Sequence, residues 1–327
     1  MNIRTTNLST TNSMLNYIQD SQSRYFEIMQ QGASGKKVTE PSDDPIATKN
    51  ILNVNAKLDQ LNNYLTNMST AQTELNTLDD ALASLVDSIQ DASDLATQAA
   101  NGTYGSSSTD GFKSQIDQIL ENVIDIANTK YNGKYIFSGN ATATEAYSIT
   151  KDASGNITAV TYNGTAATGD YERKVTISDG VSVGINEAGE NVFGYYKAAV
   201  EDDPTTVGVD ESQPEEAVGL IGTLVKLSNS VASDDKDGIK ASLDELSTAI
   251  DTTSATRTKF ASVSSRFDLT TSSINTTVMN LKEYRSDLQD IDLAEVATDL
   301  ATQQLALEAT MSITSSMLTE KTLLDYI

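Results

Sequence analysis

The stretch that decides the fold runs from residue 45 to residue 101, PIATKNILNVNAKLDQLNNYLTNMSTAQTELNTLDDALASLVDSIQDASDLATQAAN. Its apolar residues recur at alternating steps of three and four, the pattern of a helix that packs along a helical partner. The pattern slips between Leu75 and Leu78 and then resumes, which changes the local supercoil without ending the helix. The seam comprises Ile51, Val54, Leu58, Leu61, Leu65, Met68, Gln72, Leu75, Leu78, Leu82, Leu85, Ile89, Ala92, Ala96 and Ala99.

The sequence also marks both ends of this helix. Asp44 followed by Pro45 is a favourable start, because Asp is a good N-cap and Pro suits the first helical position. Asn101-Gly102 is a typical end. Roughly 55 residues at about 1.5 Å each span about 80 Å, a length that predicts a long helical rod rather than a compact domain.

Similar seams occupy both ends of the chain. The first is expected to end at Gly32 and Gly35. It comprises Leu8, Thr11, Leu15, Ile18, Gln22, Tyr25 and Met29. A second long seam pairs Phe260, Phe267, Ile274, Leu281 and Leu288 with Val263, Thr270, Thr277, Tyr284 and Ile291. The last one comprises Leu293, Ala297, Leu300, Gln304, Leu307, Met311, Thr314 and Leu318, and reaches Leu323, Leu324 and Ile327.

Between these helical regions, residues 135–194 carry β-branched and aromatic runs separated by turn dipeptides such as Asn163-Gly164 and Asp179-Gly180. This texture is typical of a small antiparallel β module. A short helix before it is expected to close at Asn132-Gly133, and two short helices are expected near 214–231 and 236–252.

The order of these elements predicts a mainly α fold. The N- and C-terminal regions form a long antiparallel helical rod, coiled-coil-like, with a small inserted β-rich domain at its tip. The corresponding domains are terminal assembly helices at 1–43 and 292–327, partly disordered in the monomer, a helical rod domain at 44–134 and 195–291, and the β-rich domain at 135–194.

The composition excludes several classes of function. The 327 residues contain no Cys and no His, so no zinc finger and no Ser-His-Asp or Cys-His triad can form. The net charge of −24 disfavours nucleic acid and anionic membranes as partners. No run of 18 apolar residues predicts a membrane span, and the N-terminus lacks the apolar region of a Sec signal. We therefore expect that the protein is not an enzyme and binds no cofactor. We also expect that it either stays in the cytoplasm or is exported without a cleaved signal.

Two acidic features resemble functional sites, a calcium-binding loop and a catalytic carboxylate pair, but each has a simpler structural interpretation. Residues 233–244 place Asp235, Asp237 and Gly238 at EF-hand positions, but Ser233 and Asp244 weaken two ligand positions. We interpret this stretch as an interhelical turn in which Asp237 caps the next helix. Adjacent carboxylates such as Asp79-Asp80 are expected by chance among 46 acidic residues and are interpreted as solvated surface, not as a glycosidase dyad.

The terminal helices have the character of assembly elements. They are short, polar in places and bounded by Gly- or Asp-containing breaks, so that each is marginal alone. Residues 1–43 are also neutral, with four basic and four acidic side chains, whereas most of the negative charge lies further along the chain. We therefore expect both ends to pack against other subunits.

Four stretches resemble the flagellin superfamily, and in particular its hook–filament junction branch (hook-associated protein 3). They are QGASGKKVTEPSDDPIA at 31–47, LATQAANGTYG at 95–105, IANTKYNGKYIFSG at 126–139 and ALEATMSITSSMLTEKTLLDYI at 306–327. The motif SGKKVTEPSDDPIA is the most discriminating, since filament flagellins usually carry an alanine-rich version without the prolines. The resemblance covers roughly two thirds of the chain and is only generic in the β module.

The resemblance implies a structural, non-catalytic role in the bacterial flagellum. Such proteins are exported unfolded by the flagellar type III apparatus, and a cytoplasmic chaperone holds their C-terminal segment beforehand, here Leu300 to Ile327. They assemble as a ring on the first hook-associated protein, outside the cell, and flagellin then adds to them. The residues expected to form the assembly interface are Leu8, Leu15, Ile18, Met29, Leu300, Leu307, Met311, Leu318, Leu324 and Ile327.

Two other functions remain open at this point. A filament flagellin has the same architecture and differs chiefly in the proline-containing motif. A secreted enzyme or ligand-binding module carried on a helical stalk would use residues 135–194 as its working part, although no convergent polar set is visible there.

Overall fold

A computed structural model describes residues 7–102, 106–151, 157–165, 171–197 and 216–319. Seven helices lie within these ranges: α1 Asn7–Ser34, α2 Pro45–Asn101, α3 Ser106–Ala127, α4 Gly189–Phe193, α5 Gly219–Ala232, α6 Lys236–Gln289 and α7 Leu293–Thr319. The strands are β1 Lys130–Tyr131, β2 Lys134–Tyr135, β3 Tyr147–Lys151, β4 Ile157–Tyr162, β5 Lys174–Ser178, β6 Val181–Gly184, β7 Tyr195–Lys197 and β8 Glu216–Val218.

Helix α2 confirms the prediction made from its seam. It begins at Pro45 and ends at Asn101, as the capping residues indicate. The backbone N–H groups of Ile46 and Ala47 both donate to Asp44 Oδ1 at 2.9 Å, so that Asp44 is the N-cap. All the predicted seam residues are buried except Leu65 and Gln72, which are half-buried.

Helix α6 is longer than predicted. The sequence pattern suggested one helix near 236–252 and a separate one from Phe260, whereas a single helix runs from Lys236 to Gln289. In the intervening stretch the hydroxyls of Thr252 and Thr256 donate to the carbonyls four residues earlier, at 2.9 and 3.0 Å. These hydroxyl groups are thus satisfied within the helix, and the stretch continues as helix despite its poor propensity.

Two turns also differ from expectation. Asn132-Gly133 joins β1 to β2 instead of closing α3, which ends at Ala127. Both residues have positive φ, 49° and 76°, which suits a tight type I′ hairpin. Before α6, the capping residue is Asp235 rather than Asp237, because Asp235 Oδ1 accepts the Asp237 N–H at 3.2 Å.

The strands form small antiparallel sheets, as predicted, although they extend beyond 135–194 on both sides. One sheet has the order β3-β4-β7-β8, and two hairpins, β1-β2 and β5-β6, stand apart from it. An aromatic cluster anchors this region. Phe137 and Phe193 are fully buried with ring centroids 4.9 Å apart, and the buried Tyr147 hydroxyl donates to Gly194 O at 2.9 Å.

The chain divides into two compact units, Met1–Leu61 with Asn275–Ile327, and Asn62–Ile274. In the first, Arg285 Nη1 of α6 donates to Asn55 Oδ1 of α2 at 3.1 Å. In the second, α2 and α6 pair antiparallel, since Gln72 Nε2 lies 2.6 Å from Ser264 Oγ and Arg257 binds Asp79. The predicted fold class is confirmed: long helices from both terminal regions and a β-rich segment in the middle of the chain.

The position of the β-rich segment differs from the predicted tip. Its residues Arg173 and Asp179 contact α2 at Glu74 and Tyr64, far from the end of α2 at Asn101. The cause is α3, which turns back along α2 and places Asn122 Nδ2 3.0 Å from Ser88 Oγ. Its 22 residues carry the chain back by about 33 Å before the strands begin.

Candidate assembly surface

Two short connections link α1 to α2 and α6 to α7, and the first hydrogen-bonds both to the end of α6 and to the second connection. The Lys37 N–H donates to Gln289 O at 2.7 Å, and the Ile291 N–H donates to Gly35 O at 3.3 Å. Lys37 Nζ also donates to Asp287 O at 2.6 Å. Gly35 has a φ of 72°, a conformation that ends α1 and starts the first connection. The connections therefore fix where α1 and α7 meet.

The two aspartates of the EPSDDP motif, Asp43 and Asp44, form different hydrogen bonds in the first connection. Asp44 caps α2. Asp43 Oδ2 accepts the N–H groups of Glu40 at 2.8 Å and of Thr39 at 2.9 Å. These bonds, the one from Glu40 first, lower the pKa of Asp43 and shape the turn before the helix.

Helices α1 and α7 pack antiparallel, and their covered residues define a regular seam. Gln303 Nε2 donates to Ser21 O at 3.0 Å, and Thr314 Oγ1 lies 3.4 Å from Met14 Sδ. At the other end a Cβ on Gly32 would lie 3.4 Å from Val296 Cγ1, so the helices approach closely there. The half-buried or buried residues step by three and four: Met14, Ile18, Ser21, Tyr25, Ile28 and Gly32 on α1, and Val296, Leu300, Gln303, Leu307, Thr310 and Thr314 on α7.

One side of this pair exposes large apolar side chains, which we call the apolar flank. The exposed fractions of Leu15, Phe26, Met29 and Met311 are 49%, 52%, 44% and 47%. Leu15 and Met29 each follow a seam residue by one position on α1, and Met311 does so on α7, so in an antiparallel pair all three lie on the same side. The apolar flank comprises Leu15, Gln22, Phe26 and Met29 of α1 and Ala297, Gln304 and Met311 of α7, with the charged Glu308 at its border.

The opposite side of the pair forms a shallow groove of about 580 Å³, which combines charged residues with two exposed apolar side chains, Tyr17 at 66% and Ile313 at 57%. Asp20 and Arg24 line it from α1, together with Tyr17, and Ile313 lines it from α7. The two sides of the α1–α7 pair thus differ in chemistry: the groove side carries charge of both signs and the apolar flank almost none.

The structure separates the predicted interface residues into three groups. Ile18, Leu300 and Leu307 lie half-buried in the seam between α1 and α7 of the same chain. Leu15, Met29 and Met311 lie on the apolar flank. The side chains of Leu8 and Leu318, and the whole of Leu324 and Ile327, lie outside the described part. Sequence reasoning missed Met14, Ser21, Ile28, Val296, Gln303 and Thr310, each one position before a residue that it assigned to the seam.

Other kinds of site find little support in the described ranges. No group of three or more acidic residues is arranged there to hold a metal ion. In the EF-hand-like stretch Asp234 pairs with Lys236 at 3.1 Å, and Lys236 Nζ donates to Ala99 O at the end of α2 at 2.7 Å. No helix that the structure describes is both long and apolar enough to cross a membrane.

Both helical regions of the chain are similar to those of known flagellar proteins. Residues 5–142 match the bacterial flagellin N-terminal helical region, and residues 243–327 match the bacterial flagellin C-terminal helical region. Flagellar hook-associated protein 3 of Escherichia coli is 23% identical over 307 residues, which cover 92% of each chain. The protein of the same name from Salmonella typhimurium is 24% identical over 318 residues, again covering 92% of each chain.

Solved structures share the fold. A protein described as a flagellar hook-associated protein from Vibrio parahaemolyticus superposes with a TM-score of 0.61 at 18% identity, over 76% of this chain and 100% of that one. FlgL of Xanthomonas campestris gives a TM-score of 0.54 at 13% identity, over 71% of this chain and 99% of that one.

Proposed function

The chain belongs to the flagellin family and is a flagellar structural protein of the hook–filament junction type, and we propose that it forms the layer on which flagellin assembles. The observation that carries this proposal is the similarity to hook-associated protein 3 along 92% of the chain, which includes both terminal helical regions. Its role is structural and not catalytic. It reaches its place outside the cell by export through the flagellar type III apparatus.

The partners follow from that position. The ring of this protein rests on the first hook-associated protein, and flagellin adds on its other side. Before export a cytoplasmic chaperone holds the C-terminal segment from Leu300 onward. The terminal helices at 1–43 and 292–327 serve as the assembly domain, 44–134 and 195–291 as the helical domain, and 135–194 as the inserted β-rich domain.

The apolar flank is the surface through which the terminal helices pack against neighbouring subunits. A set of exposed apolar side chains along one side of a helix pair is costly in water and is typical of an interface. A copy of this chain carries a net charge of −24, so copies repel each other wherever their charged surfaces meet. An almost uncharged flank lets two copies approach. The more charged groove side of the pair faces water.

The function is tested by deleting the protein in its own bacterium. We expect hooks without filaments, by electron microscopy, and monomeric flagellin in the medium, because the filament has no layer on which to start. Hooks without filaments and without released flagellin would instead identify this protein as the filament subunit. Normal filaments would contradict both functions.

The apolar flank is tested by complementing that strain with two matched variants. Gln22 lies on the flank, and its exposed neighbour Ser23 points about 100° away around the helix. Gln22→Lys places a charge in the subunit interface and is expected to reduce the number of filaments by at least tenfold, whereas Ser23→Lys is expected to support normal numbers. Immunoblots of the medium verify that both variants are exported. Equal effects of the two substitutions would contradict this assignment.

A further inference from the structure

Residues 171–187, which contain the β5-β6 hairpin, are closed at their base by one side chain. The Arg173 N–H donates to Asn186 Oδ1 at 2.6 Å, and Asn186 Nδ2 donates to Tyr171 O at 2.8 Å. The Ile185 N–H donates to Arg173 O at 3.0 Å. Asn186 is 1% exposed, so these bonds are shielded from water. The segment is therefore a closed loop with a fixed base.

One end of this loop binds α2 through an ion pair. The Arg173 guanidinium contacts the Glu74 carboxylate through both of its terminal nitrogens. Glu74 is 7% exposed, although it lies on an otherwise uncharged stretch of α2. A carboxylate that is buried to this degree needs its partner, because removing the partner leaves a charge without compensation.

The other end of the loop binds α6 in the same manner. Glu187 is 6% exposed, and its carboxylate accepts hydrogen bonds from Lys259 Nζ of α6 and from Asn191 Nδ2, both at 2.7 Å. At the tip of the hairpin, Tyr64 of α2 donates its hydroxyl to Asp179 Oδ1 at 3.0 Å. The loop thus touches both helices, and its two ion pairs reach one helix each.

We propose that residues 171–187 are a strap that clamps α2 to α6. The two helices contact each other directly through Gln72 and Ser264 and through Arg257 and Asp79, and the strap adds a second connection across the same stretch. Because its base is closed by Asn186, a pull on one helix is passed to the other through the loop. The inserted segment is in this way a part of the helical pair and not an independent module. This inference stands whether or not the proposed place in the flagellum is correct.

The strap is tested by hydrogen exchange with mass spectrometry on the full chain. Glu187→Gln weakens the attachment to α6, and Glu74→Gln combined with Arg173→Met removes the ion pair with α2 without leaving a buried charge. We expect at least tenfold faster exchange of amides near 68–78 in α2 and near 255–265 in α6 for each variant. The more distant part of α2 near 85–99 should exchange at its original rate.

A matched control keeps the test specific. Lys151→Met removes an ion pair with Glu121 that lies in the same unit but is exposed and does not involve the strap. It should leave exchange in both helices unchanged. Faster exchange confined to 171–187, or an equal increase over the whole unit, would overturn the strap, because either result means that the loop does not brace the two helices.

A distance measurement provides an independent readout. The chain contains no Cys, so spin labels attach only where Cys is introduced. Thr73→Cys on α2 and Ser262→Cys on α6 replace exposed residues close to Glu74 and Lys259. Opening the strap with Glu187→Gln should broaden the distribution of distances between the labels, and Lys151→Met should not. An unchanged distribution would overturn the proposal.

Discussion

At the scale of the residue, Glu187 shows how a buried charge is kept ionised. Burial raises the pKa of its carboxyl, but the hydrogen bonds from Lys259 and Asn191, the charge of Lys259 and the Tyr171 hydroxyl outweigh burial. The pKa of Glu187 therefore lies below its usual value of 4.5. A carboxyl whose pKa is lowered by folding stabilises the folded state above its unfolded pKa, and this contribution disappears as the pH falls through the folded pKa.

The sign of this effect gives a prediction for Glu187→Gln. At pH 7 the variant should melt at a lower temperature than the original protein, by about 2–4 °C for each kcal/mol lost in a unit of this size. Below pH 4.5 the difference should shrink, since the original carboxyl then becomes protonated as well. Calorimetry between pH 3 and pH 7 measures it. Glu121→Gln, which alters an exposed ion pair, is the control, and a difference for Glu187→Gln that is constant over this range would contradict the prediction.

At the scale of the element, glycines act in opposite ways at helix ends and within helices. Gly35 has a φ of 72° and ends α1, with open space around its Cα. Gly111 lies exposed inside α3, also with open space, and its φ is outside the left-handed region. The same substitution should therefore have opposite signs at the two positions.

We expect Gly35→Ala to lower the free energy of unfolding by roughly 1 kcal/mol, because a side chain in the left-handed region is strained. Gly111→Ala should raise it by about 0.5–1 kcal/mol, because Ala loses less backbone entropy in a helix. Urea denaturation followed by circular dichroism measures both. A stabilising Gly35→Ala would mean that α1 does not depend on this conformation for its end.

The seams illustrate how far the pattern of an element can be followed from its sequence. In α2 the predicted seam residues are the covered ones. Apolar residues occupy nearly all the positions of this seam, and few large apolar residues lie on the neighbouring faces of the helix. In α1 and α7 two neighbouring stripes compete. On α1, Leu15, Gln22 and Met29 each lie one position after Met14, Ser21 and Ile28, and both sets recur every seven residues, so the spacing alone does not distinguish the covered stripe from the exposed one.

At the scale of the whole molecule, the two ends of the chain depend on each other. Helix α1 has 28 residues with a polar sequence, and its only extensive cover in the described part is α7. A helix of this kind derives most of its stability from packing. Truncation after Asp292 should therefore remove more helical signal than the 27 residues of α7 contain, approaching twice that amount.

Far-ultraviolet circular dichroism at 25 °C measures this loss. Truncation after Thr319, which keeps α7, is the control and should preserve the signal of α1. In the chain truncated after Asp292, the thermal transition of the unit Asn62–Ile274 should remain, because the core of that unit does not include α1 or α7. A loss equal to α7 alone would mean that α1 is stable without its partner.

The sequence by itself determined the features that depend on neighbours along the chain. These are the extent of α2 from its cap at Asp44 to Asn101, the seam of α2, the β character of the middle segment and the exclusion of sites that need Cys or His. They are local because capping, helical periodicity and turn chemistry act over a few residues.

Only the tertiary structure decided which stripe of α1 and α7 is covered and where the β-rich segment lies. The ion pair between Arg173 and Glu74 joins residues 99 positions apart, and the hydrogen bond from Gln303 to Ser21 spans 282 positions. Such contacts follow from the way α3 turns back along α2 and from the meeting of the two chain ends. No local pattern encodes them, because each residue finds its partner only once the helices are packed.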